Sequence, residues 1–352
     1  MRMMKAQVME GVKNLVYKDV PVPVINDDEV LVKVKLCGIC GTDWNIFIGK
    51  YVADRHPLIP GHEFWGVIEQ VGKNVVGLKV GDRVSPDACI ICGHCYFCRR
   101  GEGLMCQSLT QIGIHIDGAF AEYVKVPWKK CYLIPDEISD DATAAFIEPL
   151  TCVVEAAKRM DSEIGASVAI IGCGLGVVHA AVAKLRGAAP IIVIGDSANK
   201  LKIAMKMGAD HVIDINKMPN VVEKVMQLTG GVGVDYAIEA VGSPATYEQA
   251  LAMLRRGGKL EAFGVCGEKD IMEVKPVDFV LNEKRICGSL AGIGNDWGVA
   301  INLLKHKRLD PSSMFSMVVP LAELETALKE IQDNKELMKV FVSPEIKERT
   351  FF

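Results

Sequence analysis

His62 and Glu63 follow the turn-forming pair Pro60-Gly61 and open the run Phe64-Trp65-Gly66-Val67-Ile68-Glu69-Gln70-Val71-Gly72. An imidazole and a carboxylate side by side suit a borderline ion such as zinc, provided softer ligands arrive from elsewhere. Cys40 is the first such ligand. It stands between Gly38 and Gly41, which let the backbone turn sharply and present a thiolate inward. Its short distance from His62 in sequence makes it easy for one loop to bring both onto one ion. Cys37 and Cys40 form a C-x2-C pair, but no βαβ pattern starts there, so a redox motif is not indicated. A buried structural cysteine pair is the plainer alternative.

Glu148, in Phe146-Ile147-Glu148-Pro149-Leu150, is a carboxylate inside an apolar run, where an unpaired charge is costly. A metal or a basic partner would resolve that cost; a helix-end glutamate before Pro149 is the bland reading. Cys152, four residues on, is the competing ligand if a helix continues.

A second cluster is more explicit. Cys92-x2-Cys95-x2-Cys98-x7-Cys106 places four thiolates on one lobe-like loop, the donor set of a closed tetrahedral structural zinc site. Arg99, Arg100 and the Gly101-Glu102-Gly103 turn reverse the loop and add positive charge. Cys89 is a fifth candidate and reads as a bystander, and His94 as solvent-facing. Such crowding in a reducing compartment indicates metal before disulfides.

Further on, residues 168–172 form a buried parallel-type strand, Cys173-Gly174-Leu175-Gly176 a turn, residues 177–186 an Ala/Val-rich helix and residues 191–194 the next strand, closed by Asp196. Strand, glycine turn, helix, strand and acid make the dinucleotide-binding βαβ unit, with Gly172 and Gly174 letting the backbone approach a pyrophosphate at the helix N-terminus. Asp196 is placed to accept from both ribose hydroxyls and repels a 2′-phosphate, so NAD is preferred over NADP. The glycine pattern is imperfect: the third glycine of G-x-G-x-x-G falls on Val177, and Gly176 arrives one residue early. Pyrophosphate contacts then shift to the backbone of Leu175, Gly176 and Val177.

The elements that hold these groups follow from periodicity. Strand patterns at residues 5–9 and 29–35 open a β-meander, and residues 118–126 read as a strand leading to Pro127. Ser139-Asp140-Asp141 caps an Ala-rich helix. Helices at 200–207 and 221–228, strands at 211–214 and 234–242, a helix running through Arg255 and a strand at 259–265 continue the βα rhythm of a doubly wound sheet, which ends near residues 286–292. Helices at 297–307 and 321–332 and a strand at 339–342 pack back on the first domain.

The 352 residues suffice for two domains with real cores, and a half-hydrophobic, quarter-charged composition is that of a globular protein. A net charge of −4 gives no reason to expect nucleic acid or an anionic membrane as partner. Residues 164–183 lack Asp, Glu, Lys and Arg, yet strand followed by helix describes them better than a membrane span. With no apolar stretch behind the N-terminus, a cytoplasmic location is expected.

Gly38-Ile39-Cys40-Gly41-Thr42-Asp43, Gly61-His62-Glu63-Phe64-Trp65-Gly66 with Gly72, the four-cysteine lobe, Glu148-Pro149-Leu150 and the nucleotide unit, in that order, resemble the zinc-containing medium-chain alcohol/polyol dehydrogenase family over almost the whole chain. The resemblance implies an α/β protein. A GroES-like β-barrel catalytic domain (1–152 and 293–352, its structural-zinc lobe at about 89–106) would wrap around a Rossmann NAD-binding domain, a doubly wound parallel sheet (153–292). It further implies an active site in the cleft, two zinc ions per subunit and a homodimer or homotetramer built through the Rossmann sheets.

Carried over by residue, Cys40, His62, Glu63 and Glu148 are catalytic zinc ligands, one glutamate alternating with water. Asp43 orients His62 through its other ring nitrogen, and Thr42 hydrogen-bonds the substrate hydroxyl. Lys200 and Val241 join the cofactor contacts, and Trp44, Phe47 and Trp297 are candidates to line the pocket. The implied reaction is reversible oxidation of a secondary alcohol, such as a polyol, sugar alcohol or sugar acid, to a ketone with hydride transfer to NAD. Glu-Pro-Leu where other members have a zinc cysteine is typical of sorbitol, threonine and related dehydrogenases, so L-threonine or another amino alcohol is the alternative. A zinc-free reductase and a non-enzymatic zinc- or nucleotide-binding protein are remoter ones. Many members have a histidine relaying the proton two residues after the Asp43 position. Asn45 stands there and cannot take up a proton, which leaves Thr42 and water, Glu63 or Glu148.

Overall fold

A computed structural model of the protein describes residues 2–51 and 55–352. In chain order its strands are β1 (Met3–Gly11), β2 (Asn14–Pro21), β3 (Glu29–Gly38), β4 (Glu63–Val71), β5 (Arg83–Pro86), β6 (Cys89–Ile90), β7 (Thr110–Gln111), β8 (Tyr123–Pro127), β9 (Cys131–Leu133), β10 (Val168–Ile171), β11 (Ile191–Gly195), β12 (His211–Asp214), β13 (Val234–Glu239), β14 (Leu254–Ala262), β15 (Arg285–Gly288), β16 (Phe315–Pro320), β17 (Lys339–Ser343) and β18 (Thr350–Phe351). The helices are α1 (Gly41–Phe47), α2 (Tyr96–Arg99), α3 (Asp141–Ala145), α4 (Ile147–Met160), α5 (Gly176–Leu185), α6 (Ala198–Met207), α7 (Val221–Leu228), α8 (Pro244–Met253), α9 (Pro276–Val280), α10 (Asn295–Lys305) and α11 (Leu324–Asp333). The chain divides into two compact units, Met1–Thr151 with Gly292–Phe352, and Cys152–Ala291.

In the first unit, β3 is the hub. Its first half pairs with β8, its length with β4, and its end, Cys37 and Gly38, with Val342 and Phe341 of β17. β4 continues the sheet to β5 and β9, while β17 leads through β16 to β18. Val30, Val32 and Val34 alternate along β3 toward a core that takes in Phe64, Ile68, Val84 and Val340. Period-two β-branched residues on a half-buried strand specify this register, because a slip of one residue would turn them to solvent. β4 approaches β3 so closely that a side chain on Gly66 would meet the Lys33 carbonyl at 2.3 Å.

Residues 118–122, which by pattern belong to a longer strand, do not join β8. Residues 118–120 bond instead to the turn before His62: Gly118 N donates to Ile59 O, Ala119 N to Gly61 O and Phe120 N to Pro60 O, at 2.7–2.9 Å, while residues 120–122 lie against β1, Gln7 N donating to Phe120 O and Glu122 N to Lys5 O. Gly61 has φ +99, and a side chain there would strike Phe120 N at 2.8 Å. A left-handed residue pressed against a neighbouring backbone must be glycine. The turn that aims His62 is thus clamped from outside its own segment.

In the second unit all six strands run parallel in the order β12-β11-β10-β13-β14-β15, the 3-2-1-4-5-6 order of a doubly wound nucleotide-binding sheet. The βα rhythm therefore runs one strand further than its pattern suggests. β15 is short, and its side chains are partly exposed at the sheet edge, so it lacks the buried apolar signature of β10 and β11. The helix before β14 stops at Met253, and Leu254 is already extended against Val234.

Candidate active site and metal centres

Cys40 is the cap residue of α1, and Asp43, in the first turn, accepts a hydrogen bond from Cys40 N through Oδ2 at 2.8 Å. The same carboxylate turns Oδ1 toward His62 Nδ1, 3.5 Å away, and both residues are buried. One aspartate therefore fixes the backbone of one donor and the ring of another, leaving the second imidazole nitrogen for an ion. Glu63 is the first residue of β4, opposite Gly38 of β3. Donor atoms of Cys40, His62 and Glu63 all lie within 4.8 Å of one another, with Cys40 the most accessible. Burial alone would lower the His62 pKa, but the Asp43 carboxylate and Cys40 outweigh it and hold it well above the ordinary histidine value. A soft thiolate, an imidazole and a carboxylate at this spacing fit zinc.

Glu148 lies in the first turn of α4, with its backbone carbonyl taking the Thr151 hydroxyl at 2.6 Å. It is buried and near the cluster, but outside the group of three, as is Cys152. Pro149 does not end the helix, because in a first turn its missing N–H costs nothing. Thr42 and Asn45 are half-buried on α1. Phe47 and Trp297 are core residues and not lining: Phe47 packs in the main core of the first unit. The Trp297 indole is fully buried, stacked on Tyr132 and bonded to Ser85 Oγ at 3.3 Å. Trp44 packs partly against the same core.

One group at the site carries only a faint sequence signal. Lys339, the first residue of β17, is buried and its ammonium bonds Glu63 Oε2 and, at 3.0 Å, the carbonyl of Ile39. Burial alone would lower its pKa, but Glu63, Cys40 and Glu148 together raise it above the ordinary lysine value. A lysine opening an otherwise apolar strand was the only trace of this role.

In the lobe, the Cys92, Cys95, Cys98 and Cys106 sulfurs also lie within 4.8 Å of one another. Backbone N–H groups of Cys98 and Gln107 lower the Cys95 pKa, and those of Cys92 and Ser108 lower that of Cys106. Thiolates already stabilised by amides are suited to a closed tetrahedral ion. Cys89 is buried on β6 outside this set, and His94 is exposed.

In the second unit the glycine turn runs from Gly172 (φ +113), where a side chain would meet Ala240 O at 2.9 Å. α5 starts at Gly176 behind Leu175, and Val177 is buried in it. A Cβ on Gly176 would lie 3.1 Å from Ile170 Cγ2, so Gly176 provides the close helix–strand packing that the third glycine of the pattern provides. Asp196 directly follows β11, its backbone carbonyl held by Asn216 Nδ2 at 2.8 Å. Ser197 caps α6 by accepting from Lys200 N, and Val241 is exposed just past β13.

A thiolate–imidazole–carboxylate cluster and a four-thiolate lobe in one unit, with a parallel nucleotide-type sheet in the other, define a class: zinc-binding, dinucleotide-dependent oxidoreductases. Residues 26–136 match the alcohol dehydrogenase GroES-like domain family and residues 174–306 the zinc-binding dehydrogenase family. The chain is 36% identical to sorbitol dehydrogenase of Bacillus subtilis over 97% of both chains. It is 34% identical to L-threonine 3-dehydrogenase of Bacillus velezensis over 88% of this chain and 89% of that one. A protein of Sinorhizobium meliloti 1021 solved with NADP superposes with TM-score 0.91 at 33% identity, over 98% of this chain and 100% of that one. The chain belongs to the zinc-containing medium-chain alcohol/polyol dehydrogenase family. It is a zinc-dependent alcohol/polyol dehydrogenase, with a GroES-like domain and a Rossmann-type sheet.

The buried Lys339–Glu63 pair gives a direct prediction. Lys339→Met strands a buried carboxylate and should cost about 3–5 kcal/mol of stability, while adding Glu63→Gln should recover most of it. Urea unfolding of the two single variants and the double variant measures the coupling; strictly additive losses would mean that the pair is not an energetic unit.

Proposed function

We propose that the chain oxidises a secondary alcohol of a polyol, sugar alcohol or sugar acid to the ketone, reversibly, with NAD as the hydride acceptor. The convergence of Cys40, His62 and Glu63 carries this reading, supported by the likeness to a sorbitol dehydrogenase over nearly the full chain. Zinc held there supplies Lewis acidity toward the alcohol, and the dinucleotide supplies the hydride acceptor. Cys40, His62 and Glu63 hold the ion; Glu148 or water completes its shell. Asp43 keeps the His62 ring oriented, and Lys339 holds Glu63. Thr42, beside Asp43 on α1, orients the substrate hydroxyl and passes its proton to water, since Asn45 cannot carry one. Cys92, Cys95, Cys98 and Cys106 bind the second zinc.

For the cofactor, Gly172, Gly174, Leu175, Gly176 and Val177 frame the pyrophosphate at the α5 N-terminus, Asp196 takes the ribose hydroxyls with Lys200 beside it, and Val241 contacts the cofactor from the turn after β13. The Asp196 carboxylate favours NAD over NADP by repulsion of a 2′-phosphate. A second reading, oxidation of L-threonine or another amino alcohol, draws on the likeness to an L-threonine 3-dehydrogenase.

The chain assembles as a homodimer, extended to a homotetramer if a second contact forms. The support is β15, an edge strand beside exposed Val277, Val280, Leu281, Ile286 and Leu290. Long-lived proteins rarely leave such an edge uncovered. A cytoplasmic location accords with twelve cysteines of which none forms a disulfide among the described residues; among the same residues no helix is long and apolar enough to cross a membrane.

Cys40→Ser should lose turnover and the catalytic zinc while keeping the lobe zinc, halving the metal found by elemental analysis; unchanged zinc and turnover would sink the ligand assignment. A panel of polyols, sugar acids and L-threonine, scored by NADH absorbance and repeated with NADP, should show polyols with NAD turning over fastest, and a clear preference for L-threonine would transfer the reading to amino alcohols. Sedimentation equilibrium should give at least twice the chain mass, against which a monomer at micromolar concentration would count.

A further inference from the structure

Glu239 ends β13 and is fully buried, yet its carboxylate faces no lysine or arginine at hydrogen-bond distance among the described residues. It is satisfied by the turn that follows it. Oε1 accepts from Val241 N at 2.9 Å, Gly242 N at 3.0 Å and the Thr246 hydroxyl at 2.7 Å, and Oε2 accepts from Gly242 N at 3.1 Å. Successive backbone N–H groups converging on one acceptor form an anion-binding nest, and here the anion is the chain's own side chain.

The same residue gathers two neighbouring turns. Its backbone carbonyl accepts from Phe263 N at 3.1 Å and Gly264 N at 2.8 Å, beyond β14. A side chain on Gly264 would strike Glu239 Oε2 at 2.4 Å and Gly242 N at 2.3 Å. On the other side, Ala240 N donates to Ile171 O at 2.9 Å, and a Cβ on Gly172 would lie 2.9 Å from Ala240 O. The turns after β10, β13 and β14 are therefore packed backbone to backbone around one carboxylate. They lie at the carboxyl ends of three adjacent central strands, where a doubly wound sheet receives its dinucleotide.

We infer that Glu239 is a positioning residue for the nicotinamide half of the cofactor, an inference that rests on the NAD-binding reading above. Two physical effects support it. Drawing the Val241 and Gly242 N–H groups inward leaves Val241, 54% exposed, as the face the turn presents, an apolar surface suited to the nicotinamide ring and not to a phosphate. Occupying the nest with an internal carboxylate also removes it as a rival phosphate site, so the pyrophosphate is directed to the amide groups at the start of α5. Adenosine belongs to the β10-β11-β12 half of such a sheet and nicotinamide to the β13-β14-β15 half, so the effect of Glu239 falls on one end of the cofactor.

Glu239→Gln keeps the shape but turns an NH2 group toward the N–H donors of the turn, and Thr246→Val removes one donor while leaving the carboxylate. Fluorescence titrations of the zinc-loaded protein with NADH and with ADP-ribose, which lacks nicotinamide, separate the two ends of the site. Glu239→Gln should weaken NADH by about tenfold and Thr246→Val by about threefold, the scale of one charge-assisted and one neutral hydrogen bond, with ADP-ribose affinity unchanged in both. Equal weakening of both ligands would reduce Glu239 to a general support of the sheet, and unchanged NADH affinity would also overturn the inference. If Glu239→Gln does not fold, the Thr246→Val titration decides alone on the same terms. If the wild-type protein binds neither NADH nor ADP-ribose, the nucleotide reading itself fails, an outcome distinct from a wild-type protein that binds and a variant that binds equally well.

Discussion

The first unit turns on a lysine where an ion pair cannot be avoided. Glu63 must be a carboxylate to serve a metal, and it must be buried because it opens β4 at the centre of the sheet. An isolated charge there would be expelled or neutralised. Lys339 resolves the conflict from the other end of the sequence, and its second bond, to the Ile39 carbonyl, reaches the residue before Cys40. One ammonium thus ties β17, β4 and the Cys40 turn together. It leaves the cluster less negative than its thiolate and carboxylates alone would make it, so the site need not depend on a metal for all of its charge balance.

A second constraint is the approach of backbone to backbone. A Cβ on Gly61 would meet Phe120 N, one on Gly113 or on Gly118 would come within 2.2 Å of the Gly61 carbonyl oxygen, and one on Gly66 would meet Lys33 O. In the nucleotide unit, Gly172, Gly242 and Gly264 do the same around Glu239. Within β4 the omitted Cβ of Gly66 lets two strands approach, and at the other positions it lets a turn bearing functional groups be held against another backbone segment. Side-chain precision at His62 and at the cofactor turns is in this sense a backbone property.

The two metal centres differ in how they are assembled. The lobe draws all four thiolates from residues 92–106, with amides of the same loop lowering two of them, so it is nearly a local structure. The catalytic cluster draws Cys40 from the start of α1, His62 from a clamped turn and Glu63 from a strand, with Glu148 nearby on α4. Its geometry exists only once β3, β4 and β17 are paired. A closed local site suits a structural ion, and one assembled from separate elements with a partly accessible thiolate suits an ion that must meet substrate.

Ligand chemistry was legible along the chain because it depends on residue type and short spacing: the four-cysteine lobe, the His62-Glu63 pair, Cys40 between glycines and the strand–turn–helix around Gly172 all show in the sequence. So were the doubly wound sheet and the βα rhythm, since buried parallel strands are continuous apolar runs. β15 escaped because an edge strand lacks that signature, and the strand pattern at 118–122 does not extend β8 because the backbone partners of these residues lie in the turn at 59–61 and in β1, which alternation cannot reveal. Trp297 and Phe47 looked like pocket residues until packing placed them in the core. Lys339 and Glu239 lie furthest from sequence reading. A charged residue in an apolar strand reads as a cost, and only the tertiary structure supplies the partner, a carboxylate 276 residues away for one and two backbone amides and a hydroxyl for the other, that offsets the cost of burial.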